Sequence, residues 1–337
     1  MGVLLGYKDV KKQSEAVWNQ VGDKIWLPYA EVNSKLEQGN TKELKLSGLG
    51  KFCVLAAMGE SLQEAIPTLK KYRDQFDLVT CDKGFGVLVD NGITPDYVQL
   101  ADCNIPYEKW LAPYVEKTEG VKLLATCYAN TAWTKAWRGP RYFYVNRDAI
   151  DSQKKFMEIM AKGIRTIPAG SNVSNAMVIF MLGVDENSQA NWAGYEEYFL
   201  TGYDYSWRPQ SAEQSSDVKS GNYYAFNNPF PKRAYMQHRT VLDLMGDISH
   251  TSENLLFSAK WLYSYITAYN LPVINCSGRG ILDIPRRMPL DKALSSIQTS
   301  KERTDRIKQG FAIVTKSFEL LEMNKAAFET SRRLLWQ

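Results

Sequence analysis

Histidine is almost absent from this sequence: 337 residues contain two, His238 and His250, beside 19 tyrosines and nine tryptophans. A mechanism that needs an imidazole therefore has two candidates. The patterns of metal sites are missing as well, with no H-x-x-x-H, no D-x-D and no C-x-x-C, so nothing signals a zinc-type ligand set. The five cysteines (Cys53, Cys81, Cys103, Cys127 and Cys276) fall singly, mostly inside apolar runs. They read as small buried core residues in a reducing compartment. The Walker loop, the dinucleotide G-x-G-x-x-G and the hydrolase G-x-S-x-G are absent too. No run approaches the roughly 20 apolar residues of a membrane span, and charges follow the N-terminal apolar stretch too soon for a signal peptide. The expected location is cytoplasmic.

What is present is ordinary for a globular chain: 45% hydrophobic and 23% charged residues, with a net charge of +4. That charge is too small to demand nucleic acid, yet it suits a protein that handles phosphates. Strand-like apolar runs at 52–57, 78–81, 97–101 and 121–127 alternate with helical segments at 62–72, 83–89 and 106–115. Asn91-Gly92 stops the second helix, since both residues accept a left-handed terminus. The pattern resumes with a helix at 172–183, a strand at 197–201, a long helix at 251–269 and a strand at 272–276. Such alternation predicts an α/β fold, a Rossmann-like parallel sheet flanked by helices. Residues 1–50 read as a helical lead-in, 51–288 as the catalytic domain, and 289–337 as a C-terminal helical appendage with a helix at 301–335. That appendage either mediates homo-oligomerisation or covers the sheet. Residues 203–249, rich in Ser, Asn, Gly, Pro and Tyr without periodicity, read as a lid-like insertion.

Ligands of open parallel sheets bind outside the carboxyl ends of the strands. Small or polar residues stand there: Gly59, Glu60, Ser61 and Leu62; then Asp82; then Asp102 and Asn104; then Gly170, Ser171 and Asn172; then Gly202, Tyr203 and Asp204. Gly59 and Ser61 suit a turn that offers backbone N–H groups to a phosphate. The structural alternative is a capping box of Ser61 and Glu64. Asp82 and Asp102 suit ribose hydroxyls, or cap the helices that follow. His250 stands at the expected mouth of the 251–269 helix, with Thr251 and Ser252. Tyr205, Tyr223 and Tyr224 lie on the loop before it. Phenol hydroxyls can donate to a departing phosphate, and an imidazole can take a hydroxyl proton near neutral pH.

The order Gly59-Glu60-Ser61-Leu62, Asn91-Gly92-Ile93-Thr94-Pro95-Asp96-Tyr97, Asp102, Gly170-Ser171-Asn172-Val173-Ser174 and Gly202-Tyr203-Asp204 resembles one family. It is similar to the motility-associated (Maf) flagellin glycosyltransferases and the related archaeal hydroxymethylpterin pyrophosphokinases, over roughly residues 50–285. Both share a G-P-S-L turn, an N-G-I-x-P-D segment, a G-S-V element and a G-x-D strand end. Glu60 stands where the family has proline. A more distant likeness is to bacterial lipooligosaccharide sialyltransferases, carried by Asp204, Tyr224-Ala225-Phe226 and His250-Thr251-Ser252. Asp82 and Asp102 or Asn104 stand where those enzymes have asparagines.

The resemblance implies a glycosyltransferase that takes a nucleotide-sugar donor and needs no metal or other cofactor. It also implies His250 as the base and Tyr224, with Tyr205 or the adjacent Tyr223, at the leaving phosphate. The alternatives are a Mg²⁺-dependent pyrophosphokinase using Asp82, Asp102 and Asp204 as ligands, or a nucleotide-binding module without turnover. The acceptor is open among a glycan, a protein and DNA carrying a modified base. The DNA option comes from residues 133–147, where Trp133, Trp137, Tyr142, Phe143 and Tyr144 interleave with Arg138, Arg141 and Arg147 as a base-stacking surface would. The structural alternative is a buried strand with a basic flank.

Overall fold

The computed structural model describes residues 22–146, 150–160, 164–168, 170, 172–183, 190–208 and 238–297. Among these, eight strands form one sheet: β1 (Cys53–Ala56), β2 (Asp77–Cys81), β3 (Tyr97–Leu100), β4 (Lys122–Thr126), β5 (Arg141–Asn146), β6 (Arg165–Ile167), β7 (Tyr198–Thr201) and β10 (Val273–Asn275). All pairings in it are parallel, in the order β10-β7-β1-β2-β3-β4-β5-β6. Two further strands, β8 (His238–Leu242) and β9 (Ile248–Ser252), make a separate antiparallel hairpin. The helices are α1 (Leu27–Asn33), α2 (Ser61–Lys71), α3 (Asp82–Asp90), α4 (Tyr107–Trp110), α5 (Thr131–Ala136), α6 (Ile150–Ile159), α7 (Val173–Leu182), α8 (Glu253–Ala268) and α9 (Leu290–Ser295).

The expected α/β architecture is therefore present. Strands β1, β3 and β7 are buried at every position, because a parallel sheet is covered on both faces and its strands are written as near-continuous apolar runs. One core gathers Leu62, Leu69, Ile179, Trp261 and Leu294 from α2, α7, α8 and α9. The other gathers Phe85, Trp110, Trp133 and Phe156 from α3, α4, α5 and α6. Each such side chain, fully buried, contributes roughly 1.5–3 kcal/mol. Asn33 of α1 fixes the segment before the sheet: its Nδ2 donates to the carbonyls of Cys127 and Ala129, and its Oδ1 accepts from Thr134. No helix of the described residues is long and apolar enough to cross a membrane.

Several expectations need correction. Residues 133–146 form the end of α5 and strand β5 with the turn between them, and Trp133, Trp137, Tyr142, Phe143 and Tyr144 are all buried. Arg141 donates to the carbonyls of Thr134 and Trp137, and Arg138 pairs with Glu116. The segment offers no stacking surface, so the DNA acceptor loses the residues that motivated it. The long helix starts at Glu253 rather than 251, and the segment expected to be irregular contains the β8–β9 hairpin. The helix expected at 106–115 breaks after Trp110 into a 3-10 turn, Ala112–Thr118, with Pro113 near its start. Ser171, Tyr223, Tyr224, Arg147 and the helix expected at 301–335 lie outside the described residues.

Candidate functional site

The chain builds β1 to β6 outward in one direction, then crosses back to place β7 on the other side of β1. The topological switch point of the sheet therefore lies between β1 and β7, and its carboxyl edge is the expected ligand crevice. Two segments leave the strands there, residues 57–61 and 202–204. They are bonded together: the Ala57 N–H donates to the Thr201 carbonyl and the Gly59 N–H to the Gly202 carbonyl, each at 2.8 Å. Gly202 has a left-handed φ of +72°, and a Cβ on it would lie 2.1 Å from the Ala57 carbonyl oxygen. Only glycine fits this crossing.

Asp204 turns back across the junction. Its Oδ2 accepts the Ser61 N–H at 2.8 Å and its Oδ1 accepts the Ser61 hydroxyl at 2.5 Å. The Ser61 Oγ in turn accepts the Gly202 N–H. The carboxyl group is buried, at 2% exposure, and burial raises it to about 7. The two Ser61 bonds oppose the rise, while Glu60 and Glu64 add to it.

The turn Gly59–Leu62 is occupied from within the chain, and the capping box expected of Ser61 and Glu64 is not formed. Helix α2 begins at Ser61 itself, behind a helical Glu60 whose side chain makes no cap. The anion at its N-terminus is the Asp204 carboxylate, which already takes the favourable end of the helix dipole. The next two N–H groups, of Leu62 and Gln63, donate to the carbonyls of Gly59 and Glu60. Glu64 pairs with Arg279 rather than with the cap. Glu60 meets Arg208, whose Nε lies 3.0 Å from its carboxylate. The family's proline is thus replaced by one half of an ion pair.

Tyr203 and Tyr205 are buried, and their hydroxyls donate to the Ser174 carbonyl and to Asn175 Oδ1 respectively. The donor of Tyr205 is committed to the core and is not directed at a leaving phosphate. Tyr205 also has a left-handed φ of +52°, which costs a non-glycine residue of order 1 kcal/mol or more.

His250 is not at a helix mouth. It lies within β9, opposite Thr240 on β8. Its other edge makes an antiparallel bridge to Trp207, with both N–H···O=C bonds formed, at 2.7 and 2.8 Å. The imidazole is half-buried beside the Trp207 ring, centroids 6.3 Å apart. Thr251 is buried and donates to the Tyr205 carbonyl, and Ser252 caps α8 by accepting the Leu255 N–H. Both hydroxyls thus take part in bonds within the chain.

Asp82 opens α3 at the end of β2, its Oδ1 accepting the Lys83 N–H. Burial raises it to about 6, with Lys83 opposing and the charge of Asp102 adding. Asp102 follows the adjacent strand, is exposed, and accepts the N–H of Asn104, which is exposed too. Asp82, Asp102 and Asn104 thus make a polar edge beside the switch point. Asn172 caps α7 by accepting the Asn175 N–H. Gly170 is buried where a Cβ would meet the Asn175 Cβ at 2.5 Å, so it makes room for packing.

Composition hides three residues that the geometry brings forward: Asn175, Arg208 and Arg279. Asn175 has a signal in retrospect, as a lone amide in the apolar run Val173–Leu182.

A solved structure of a Maf glycosyltransferase from Magnetospirillum magneticum AMB-1 has the same fold, with a TM-score of 0.58 at 17% identity over 85% of this chain. The chain spans 42% of that protein's length. No curated protein matches the sequence. Residues 30–210 match the family described as 6-hydroxymethylpterin diphosphokinase MptE-like. Those residues cover more than half of the chain and contain the switch-point turn, Asp82, Asp102 and Asp204, so this protein belongs to the MptE-like family.

Proposed function

We propose that this chain is a glycosyltransferase that takes a nucleotide-sugar donor at the β1/β7 switch point and uses His250 as its base. The observation that carries the reading is the bridge between His250 and Trp207. It ties the histidine to the segment that leaves β7, at the rim of the crevice where sheets of this kind hold ligands. Arg208, the next residue, reaches Glu60 on the opposite lip. On this reading the acceptor oxygen attacks the anomeric carbon and its proton passes to His250. The bond from that carbon to the phosphate oxygen breaks, and its electron pair stays on the nucleotide. Tyr223 and Tyr224 remain the donors to that oxygen, while Tyr205 leaves the role. Asp82, Asp102 and Asn104 face the ribose. The glycosyltransferase activity named for the Maf structure supports the class, and the acceptor is a glycan or a protein.

The family match favours a second reading, transfer of diphosphate from ATP to a hydroxymethyl group. That chemistry normally uses Mg²⁺. Asp204 does not fit as a ligand, since both its oxygens are engaged by Ser61. Among the described residues no three His, Cys, Asp or Glu side chains converge, which leaves Asp82 and Asp102 as the only two of the expected ligands still open.

The test offers CMP-, UDP- and GDP-sugars, and separately ATP with 6-hydroxymethylpterin, each with and without excess EDTA. The proposal expects sugar transfer or donor hydrolysis that survives EDTA. His250→Gln should lower it by about 10²–10⁴ while donor binding persists. EDTA-sensitive diphosphate transfer alone would replace it with the second reading, and full turnover by the His250→Gln variant would remove the assigned base.

A further inference from the structure

We infer that Asn175 is a positioning residue for His250, acting through Tyr205; the inference rests on the proposed role of that histidine. Asn175 is fully buried and ties three elements together. Its Nδ2 donates to the Ser258 carbonyl on α8 at 3.1 Å. A carbonyl can only accept, so the amide orientation is fixed and Oδ1 is left facing the Tyr205 hydroxyl, which donates to it. Its own N–H is held by Asn172.

Tyr205 is thereby gripped at both ends. Its hydroxyl is held by Asn175, and its carbonyl accepts the Thr251 hydroxyl at 2.7 Å. A left-handed tyrosine persists only where its surroundings over-determine it, and these two bonds do so. The residue before it is Asp204, locked to Ser61. Two residues after it, Trp207 pairs with His250 through two backbone bonds. The turn at 204–207 therefore transmits the position of one buried amide to the strand that carries the imidazole. Thr251, the neighbour of His250 on β9, closes the loop from the other side. Gly170 supports the same point, since any side chain there would strike Asn175.

Loss of a merely structural contact would lower stability without changing the surroundings of one imidazole. The decisive variant is therefore Asn175→Leu with Tyr205→Phe. It replaces the buried bonded pair by apolar groups of similar shape, a change that is close to neutral for stability. Only two histidines exist, so the imidazole C2–H signals are assigned by NMR with His238→Gln. The double variant is expected to melt cooperatively and to show a displaced His250 signal and a displaced titration midpoint. Thr251→Val, which removes the other grip, should move the same signal and keeps the inference testable if the double variant does not fold.

In a transfer assay kcat should fall by up to about 10², the scale of a misplacement near 1 Å, with KM for the donor little changed. An unmoved His250 titration in a folded double variant, or in Thr251→Val, overturns the inference. Full turnover by His250→Gln would instead end the proposed base while leaving the NMR result to judge the positioning.

Discussion

Asp204 carries the sharpest physical consequence at the scale of a single residue. Its ordinary value of 3.8 is raised to about 7, first by burial. A carboxyl raised in this way holds its proton more tightly in the folded chain than in the unfolded one. Its contribution is therefore complete below pH 3.8 and is lost as pH rises towards 7. Three units correspond to about 4 kcal/mol as an upper bound. Asp82 has the same sign, over a window ending near 6. The melting temperature should thus fall between pH 5 and pH 7.5. Asp204→Asn preserves the geometry, because the amide oxygen accepts the Ser61 N–H and the amide nitrogen donates to Ser61 Oγ. Its melts should lose the part of the slope above pH 6; an unchanged slope would place the proton elsewhere. Gly202→Ala acts at the same junction by sterics alone. Its methyl group would enter the Ala57 carbonyl at a left-handed φ, and the expected cost in denaturant titration exceeds about 1 kcal/mol.

Among the elements, β9 separates what composition can reveal from what it cannot. Sequence pattern marks the start of α8 within two residues, because Ser252 is a competent cap and Glu253 opens an amphipathic run. The cap itself gives a measurement: Ser252→Ala should cost about 1 kcal/mol in denaturant titration, and a change near zero would mean that the helix is held by packing alone. The bridge from His250 to Trp207 has no local signal. Thr240, its hairpin partner, is ten positions away, but Trp207 is 43 away, and a pairing at that distance is set by tertiary packing, not by propensity. The same distinction explains residues 131–146. Rings alternating with cations describe a stacking surface and a buried strand equally well, and only the sheet partners β4 and β6 decide between them. The parallel strands at β1, β2, β3 and β4 are legible for the opposite reason. Burial on both faces writes them as largely apolar runs without strict alternation. The candidate site is half legible: the strand-end rule locates it, but the Asp204–Ser61 link spans 143 positions, and no window of sequence contains both partners.

For the molecule as a whole, the sheet leaves one reversal of strand order, and charge at that place is arranged by the fold itself. Helix α2 has its N-terminal anion supplied by Asp204, and Glu60 and Glu64 are paired with Arg208 and Arg279. Inorganic phosphate alone therefore finds the helix end taken. On the proposed reading a nucleotide-sugar differs, since it would add ribose contacts at Asp82 and Asp102. Binding to the folded state at 100 times the dissociation constant stabilises it by about 2.7 kcal/mol, enough to raise the melting temperature by several degrees. A thermal-shift series with phosphate, ATP, CTP and the CMP-, UDP- and GDP-sugars should show no response to phosphate and a clear one to a single donor class. Asp82→Asn should shrink that response without lowering the melt of the free protein, because the substitution removes a buried charge. A shift with phosphate alone would mean that the Asp204 carboxylate yields its place, and the site would then have to be redrawn around the α2 N-terminus. A donor response untouched by Asp82→Asn would move the ribose away from the β2 end and towards Asp102 and Asn104.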